Sequence, residues 1–208
     1  MKLFKKIETL CDELIEEFDR IPETRKKELG NLRQFFKKKY GEKETPKAIV
    51  ICTHNSRRSH MGQLWLNIAS SYFNLPKVES FSGGTEATAF NPRAVKAVKK
   101  AGLEVDTQNP SSSNPNYQIR WSEEMESYLA FSKKYETSPN PKEDFAAIMV
   151  CDSANEACPI VAGAAYRIAL PYEDPKAFDN TSLEAEKYME RFRQIGREFL
   201  WLFSGLKS

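Results

Sequence analysis

Cys52 and Arg58 are the residues whose types and spacing most directly suggest chemistry. A cysteine thiolate is a strong nucleophile, and the planar guanidinium of arginine matches a tetrahedral oxyanion. The residues from the one to the other are turn-forming, polar or basic: Thr53, His54, Asn55, Ser56, Arg57 and Arg58. A loop of this kind, followed by a helix, directs backbone amides at one anion. The pattern therefore predicts an oxyanion-binding loop with Cys52 as nucleophile, and with Ser59 as a hydrogen-bond donor to its sulfur.

A nucleophile of this type needs a general acid to protonate the departing oxygen, and Asp174 is the candidate. It follows the last predicted strand, at the edge of an α/β sheet where ligands bind, and Pro175 favours an extended loop there. Considered separately, Asp174 is an ordinary turn residue and Cys52 a buried thiol at a strand end. Their occurrence together favours catalysis.

Bulk composition narrows the class of protein. The 208 residues include 40% hydrophobic and 12% aromatic side chains, enough for a packed core. Thirty-one basic residues almost balance 29 acidic ones, which gives no argument for binding nucleic acid or a membrane surface. No secretory signal or membrane-spanning stretch is apparent, and four irregularly spaced cysteines do not resemble a disulfide framework. We therefore expect a cytoplasmic protein.

The elements that position these residues are predicted from hydrophobic periodicity. Residues 1–46 read as an N-terminal helical hairpin extension, and residues 47–208 as an α/β catalytic domain in which helices flank a parallel sheet of four or five strands. An insertion at 107–142 is predicted to hold a β-hairpin. The predicted strands are Ala48–Ile51, Val78–Ser82, Leu103–Asp106, Phe145–Val150 and Tyr166–Leu170, with Tyr117–Trp121 and Leu129–Ser132 in the hairpin.

Several motifs in order resemble the low-molecular-weight protein tyrosine phosphatase superfamily, and within it are most similar to the thioredoxin-coupled arsenate reductases. The motifs are Cys52-Thr-His-Asn-Ser-Arg-Arg58-Ser59, Ser82-Gly-Gly-Thr-Glu86, Asn91-Pro-Arg-Ala-Val95 with Gly102-Leu-Glu-Val-Asp106, and Glu173-Asp-Pro175. The resemblance covers about residues 47 to 205. It implies a four-stranded parallel sheet, a small oxyanion (arsenate or phosphate) or a phosphorylated molecule as substrate, and no bound cofactor or metal.

The resemblance to the reductases depends on Cys151 and Cys158, in the segment Cys151-Asp-Ser-Ala-Asn-Glu-Ala-Cys158-Pro159. It implies that Cys52 attacks arsenate, that Cys151 then attacks Cys52, and that Cys158 carries the disulfide to thioredoxin or a similar thiol reductant. Seven residues on a helix span about 10.5 Å. A disulfide needs Cα atoms within about 7 Å, so any helix between these two cysteines must unwind.

Two other functions are open at this stage. A phosphatase of the same superfamily would use Cys52, Arg58 and Asp174 alike, with Cys151 and Cys158 protecting Cys52 from oxidation. A non-catalytic oxyanion-binding or scaffold module would use the N-terminal helices to dock a partner. His54 stands where the superfamily usually has glycine, and Arg57 where it has a small or apolar residue, which gives the scaffold hypothesis its support.

Overall fold

The computed structural model describes residues 1–157 and 160–206. Its helices are α1 (Lys5–Ile15), α2 (Glu23–Gly41), α3 (Arg58–Tyr72), α4 (Pro92–Lys100), α5 (Asp152–Ala157) and α6 (Glu184–Ser204), with 3-10 turns at Phe18–Arg20 and Pro175–Phe178. Its strands are β1 (Lys47–Cys52), β2 (Glu79–Gly84), β3 (Glu104–Thr107), β4 (Tyr117–Arg120), β5 (Tyr128–Ala130), β6 (Phe145–Met149) and β7 (Ala164–Ala169). In the part of the chain described, no helix is both long and apolar enough to cross a bilayer.

The main sheet is parallel throughout and has the strand order β2-β1-β6-β7. The two central strands, β1 and β6, are buried along their length except at Lys47. Such continuous burial is typical of parallel strands with helices on both faces, and it explains why both strands read as unbroken apolar runs. The predicted α/β class and four-stranded parallel sheet are confirmed. Cys52 ends β1 and Cys151 follows β6, so both lie at the carboxyl edge of the sheet.

The predicted third strand, Leu103–Asp106, does not belong to the parallel sheet. Glu104–Thr107 instead pairs antiparallel with β4, which pairs antiparallel with β5 in a second, three-stranded sheet. Within β3 only Val105 is buried, so this strand lacks the apolar faces that a central position demands. The five-stranded alternative is therefore wrong, while the β-hairpin predicted in the insertion is present as β4 and β5.

The N-terminal helices pack against α6. Their apolar stripes join the main core, as shown by the burial of Ile7, Leu14, Leu32 and Phe36. Ion pairs close the edge of this contact and link α6 to the segment at the end of α1: Arg193 with Glu13 and Glu17, and Arg197 with Glu17. The boundary between an N-terminal extension and a catalytic domain at residues 46 and 47 stays a prediction.

Candidate active site

The loop between β1 and α3 has its carbonyl groups bound from outside. The Cys52 and Thr53 carbonyls accept from the amides of Thr85 and Glu86, at 3.2 and 2.8 Å, and the Ser56 carbonyl accepts from the Asn91 amide at 2.8 Å. None of the amides of residues 54 to 57 donates to another described residue. A loop whose carbonyls are bound and whose amides are free is suited to an anion.

Asn55 supplies the bend in this loop. Its φ is +45°, a left-handed conformation that asparagine tolerates better than most residues. His54, the residue before Asn55, has no such φ. The His54 ring instead lies at the surface, with Nε2 3.6 Å from the Glu86 carboxylate. The unusual backbone geometry at this point of the loop is thus carried by Asn55.

Cys52 is buried, with Sγ 3.1 Å from Ser59 Oγ. Asn55 Nδ2 donates to the same hydroxyl oxygen at 2.9 Å, and the Lys133 backbone amide donates to Asn55 Oδ1 at 2.8 Å. Because Asn55 fills an acceptor position on Ser59, the hydroxyl hydrogen of Ser59 is free to point at the sulfur. This arrangement places a hydroxyl donor beside the sulfur.

Arg58 begins α3 and brings its guanidinium to the end of β7. Nη1 donates to the Tyr172 carbonyl and Nη2 to Asp174 Oδ2, both at 2.7 Å. Nε is buried and has no hydrogen-bond partner among the described residues. Buried donors without partners are rare, so this N–H is available to an oxyanion.

Asp174 lies in an extended conformation at the start of a 3-10 turn, as Pro175 predicts. Its Oδ1 accepts from the Lys176 amide at 3.0 Å, while Oδ2 binds Arg58. The side chain is 34% exposed. Asp174 is thus fixed beside the arginine of the loop and is still open to a ligand.

Arg57 points along the rim of the site. Its Nε donates to the Tyr188 hydroxyl at 2.7 Å, and Nη2 lies 3.4 Å from Asp179. Its Nε is also 3.9 Å from Asp174 Oδ1. Its guanidinium is therefore engaged by α6 and by the segment before α6.

A second thiol adjoins the loop. Cys151 is 3% exposed, and its Sγ lies 3.4 Å from Thr53 Oγ1, on the residue next to Cys52. The residues after Cys151 form the short helix α5. Cys158, the predicted third member of the relay, lies outside the described residues. The remaining cysteine, Cys11, is buried in α1, and burial raises the pKa of its thiol.

Sequence reasoning missed His60, a buried residue of α3 that contacts the backbone of the loop between β1 and α3. Nε2 lies 3.0 Å from the Asn55 carbonyl, Nδ1 lies 3.3 Å from Ser82 Oγ, and the ring stacks on Phe90 with centroids 4.0 Å apart. Burial, aided by the charge of Lys133, lowers the pKa of His60 to about 3. A neutral ring facing a carbonyl must carry its proton on Nε2. The only sequence signal was a polar residue in the first turn of α3.

Lys133 was also missed, because it belongs to the insertion rather than to the predicted loop. Its backbone binds Asn55 through N–H and Gly84 through C=O. Its side chain is buried, with Nζ 4.7 Å from the centre of the Phe131 ring, and burial lowers its pKa to about 8. In the described part of the chain, no group of three His, Cys, Asp or Glu side chains is arranged to hold a metal ion.

The curated relatives are arsenate reductases. No family model matches the chain. An arsenate reductase of Bacillus licheniformis is 26% identical over 147 residues, which is 70% of this chain and 86% of that protein. One from Bacillus subtilis is 40% identical over 58 residues, 28% of this chain and 39% of that protein.

Solved structures share the fold. A low-molecular-weight phosphotyrosine phosphatase from Vibrio cholerae has a TM-score of 0.50 at 14% identity, covering 77% of this chain and 95% of that one. An arsenate reductase in a phosphate-binding state also has a TM-score of 0.50, at 17% identity, covering 78% of this chain and 99% of that one. At such identities these likenesses concern the fold alone.

Proposed function

We propose that the chain is a member of the low-molecular-weight protein tyrosine phosphatase superfamily and that it reduces arsenate to arsenite through a relay of Cys52, Cys151 and Cys158, as the curated arsenate reductases and the shared fold support. The observation that carries this proposal is the second buried thiol at the loop, Cys151 Sγ at 3.4 Å from the hydroxyl of Thr53. The names of the curated relatives support arsenate as the substrate.

In the first step the Cys52 thiolate bonds to arsenic. The hydroxyl oxygen of hydrogen arsenate accepts a proton from Asp174 and leaves as water, while the remaining oxygens are held by loop amides and by Arg58 Nε, which has no partner among the described residues. The cysteine is then joined to arsenic by a sulfur–arsenic bond. Ser59, 3.1 Å from the sulfur, stabilises the thiolate before the attack.

In the second step the Cys151 thiolate attacks Cys52 Sγ. A disulfide forms, the sulfur–arsenic bond breaks, and its electron pair stays on arsenic, which leaves as arsenite. Cys158 then attacks Cys151, releases the Cys52 thiolate, and forms a Cys151–Cys158 disulfide. Thioredoxin or a similar dithiol reduces that disulfide with two electrons. Since α5 occupies the residues between these cysteines, the helix unwinds at this step.

The phosphatase alternative is favoured by one specific observation. Hydrolysis of a phosphomonoester needs only Cys52, Arg58 and Asp174, and Arg58 joins the loop that begins at Cys52 to Asp174 through a 2.7 Å hydrogen bond from Nη2 to Oδ2. In this alternative Asp174 protonates the leaving alcohol oxygen and then activates water against the phosphocysteine.

A cysteine series separates the two functions. Wild type and the Cys52→Ser, Cys151→Ser and Cys158→Ser variants are assayed for arsenate reduction with thioredoxin and thioredoxin reductase, and for hydrolysis of 4-nitrophenyl phosphate. Cys11→Ala is the matched control, since it removes a buried thiol from α1. Under the reductase proposal, Cys151→Ser and Cys158→Ser lose multiple-turnover reduction but keep hydrolysis, and Cys52→Ser loses both.

Two results would count against these assignments. Undiminished arsenate turnover in Cys158→Ser would exclude the three-cysteine relay. A wild-type protein that hydrolyses the ester efficiently and leaves arsenate unreduced would favour the phosphatase. If neither activity is found and inorganic phosphate still binds, the scaffold hypothesis remains.

A further inference from the structure

The segment that leads to Asp174 is held by two arginines on consecutive carbonyls. Arg58 of α3 donates to the Tyr172 carbonyl at 2.7 Å. Arg25 of α2 donates through Nη2 to the Pro171 carbonyl, also at 2.7 Å. The second of these arginines comes from the N-terminal helices, which lie outside the region of family resemblance.

Arg25 belongs to a cluster with Tyr172 and Glu198, which we call the Arg25 cluster, and its Nη1 also donates to Glu28 at 3.1 Å. Arg25 Nε lies 3.4 Å from Glu198 Oε2, and the Tyr172 hydroxyl donates to that same oxygen at 2.7 Å. The guanidinium carbon of Arg25 lies 5.3 Å from the centre of the Tyr172 ring. Each member thus contacts the other two.

The cluster is largely shielded from water. Glu198 and Tyr172 are 2% and 4% exposed, and the side chain of Arg25 is 15% exposed. Burial raises the pKa of Glu198, and the opposing effect of Arg25 is the largest of those that lower it. A buried carboxylate without a cation is costly, so Arg25 and Glu198 depend on each other.

We propose that Arg25 is a positioning residue, through which α2 fixes the segment from Pro171 to Asp174 and so aims the proton donor. The proposal rests on the proposed function, in which Asp174 is the general acid. Arg25 does not touch the substrate. It holds a carbonyl three residues before Asp174, on the strand extension that Arg58 binds from the loop. A displacement of about 1 Å at a reacting group can cost about a hundredfold in rate.

The same helix offers a matched control. Arg33 of α2 also binds backbone carbonyls with its guanidinium, those of Leu202 at 2.8 Å and Trp201 at 2.5 Å, and it lies over the Trp201 ring. These contacts anchor α2 to the end of α6 and involve no residue of the site. Arg33→Met therefore weakens the same packing without touching the Asp174 segment.

The test uses the full chain with Arg25→Lys, Arg25→Met/Glu198→Gln and Arg33→Met. The double variant neutralises the carboxylate that Arg25 would otherwise leave unpaired, so that it folds. Values of kcat/KM are measured for phenyl phosphate and 4-nitrophenyl phosphate, because the more basic phenoxide needs its proton more. We expect the ratio of nitrophenyl to phenyl rates to rise about tenfold in the double variant, to rise less in Arg25→Lys, and to stay at the wild-type value in Arg33→Met.

Hydrogen exchange supplies a readout that does not depend on activity. Amides of residues 170–178 should exchange faster in the Arg25→Met/Glu198→Gln variant than in wild type or Arg33→Met. A wild-type ratio of rates and wild-type exchange in a folded double variant would overturn the proposal. If wild type hydrolyses neither ester, the phosphatase alternative fails and the ratio of ester rates is lost as a readout. Exchange then decides alone whether Arg25 positions this segment, with unchanged exchange refuting it.

Discussion

Replacing Asn55 separates two physical roles of one side chain. Asn55→Ala places an alanine at a φ of +45°, which costs about 1–2 kcal/mol. It also leaves the Lys133 amide and the Ser59 hydroxyl oxygen without their buried partner, at about 1–3 kcal/mol for an unsatisfied buried group. Together these effects should lower the free energy of unfolding by about 3–8 kcal/mol. Asn55→Gly relieves the backbone and should be more stable than Asn55→Ala by about 1 kcal/mol.

Unlike their stabilities, the catalytic activities of Asn55→Ala and Asn55→Gly should be equal. Both substitutions remove the group that orients Ser59 toward Cys52, so both should lower kcat/KM to the same extent. A hydrogen bond to a charged group contributes about 1.5–3 kcal/mol, which corresponds to about a ten- to hundredfold loss. Urea unfolding followed by tryptophan fluorescence gives the stabilities, and hydrolysis of 4-nitrophenyl phosphate and arsenate reduction give the rates.

Asn74 provides the control. Its φ is +52° and it is exposed, so it has the same backbone conformation without buried partners. Asn74→Ala should be less stable than Asn74→Gly by about 1 kcal/mol, and both should keep full activity. Equal stabilities for Asn55→Ala and Asn55→Gly would refute the backbone argument, and more than half of the wild-type rate in either would refute the role given to Ser59.

Other expected outcomes concern two helix glycines and two buried titratable side chains. A Cβ on Gly30 meets nothing within 4 Å, so Gly30→Ala should raise the free energy of unfolding by about 1 kcal/mol. A Cβ on Gly196 would lie 2.4 Å from the buried Trp65 ring, so Gly196→Ala should lower it by about 1–2 kcal/mol, and a more stable variant in urea would contradict the packing argument. The pKa of His60 is about 3 when folded and 6.5 by ordinary reference, so unfolding takes up a proton between these values. The free energy of unfolding should therefore fall as the pH is lowered from 6.5 toward 3. This fall should be steeper in wild type than in His60→Gln, by up to about 1.4 kcal/mol per pH unit. If the free energies from urea unfolding fall equally in both proteins, the argument is wrong. The pKa of Lys133 is about 8 in the folded protein, against an ordinary value of 10.5. The free energy of unfolding should therefore rise from pH 8 to 10.5, and it should rise less in Lys133→Met. An equal rise in both proteins would show that the amine is not desolvated.

The sequence predicted the centre of the sheet because local and long-range requirements agree there. Strands β1 and β6 are buried on both faces, and that condition is visible as uninterrupted apolar residues. The cap of α4 was equally predictable, since the Asn91 side chain accepts from the Arg93 amide at 2.9 Å in front of a proline-initiated helix.

Strand pairing in the insertion was less accessible. Leu103–Asp106 has a plausible strand composition, but its partner is decided by which strand returns to it after residue 116. Only contacts between distant segments select the antiparallel sheet. The composition of this segment predicts that it forms a strand, but it does not predict which strand it pairs with.

The candidate site divides in the same way. The sequence motifs identify Asp174 and the residues from Cys52 to Ser59, and the roles assigned to these residues stay predictions. The sequence did not identify His60, Lys133 or Arg25. Each of them contacts the site from a helix or loop whose position is decided by the whole fold. Arg25 lies 146 residues from the carbonyl that it binds, and no spacing rule connects the two.

The pairing of Arg58 with Asp174 means that the site already contains an anion of its own. Nη2 donates to a carboxylate while Nε has no partner among the described residues, so an incoming ligand that binds both nitrogens competes with that carboxylate for Nη2. Chloride makes only one weak contact with the guanidinium, so it competes poorly with the carboxylate. A doubly charged tetrahedral ligand can accept more hydrogen bonds, and in the proposed mechanism its binding would free the Asp174 carboxyl from Arg58 when a proton donor is first required.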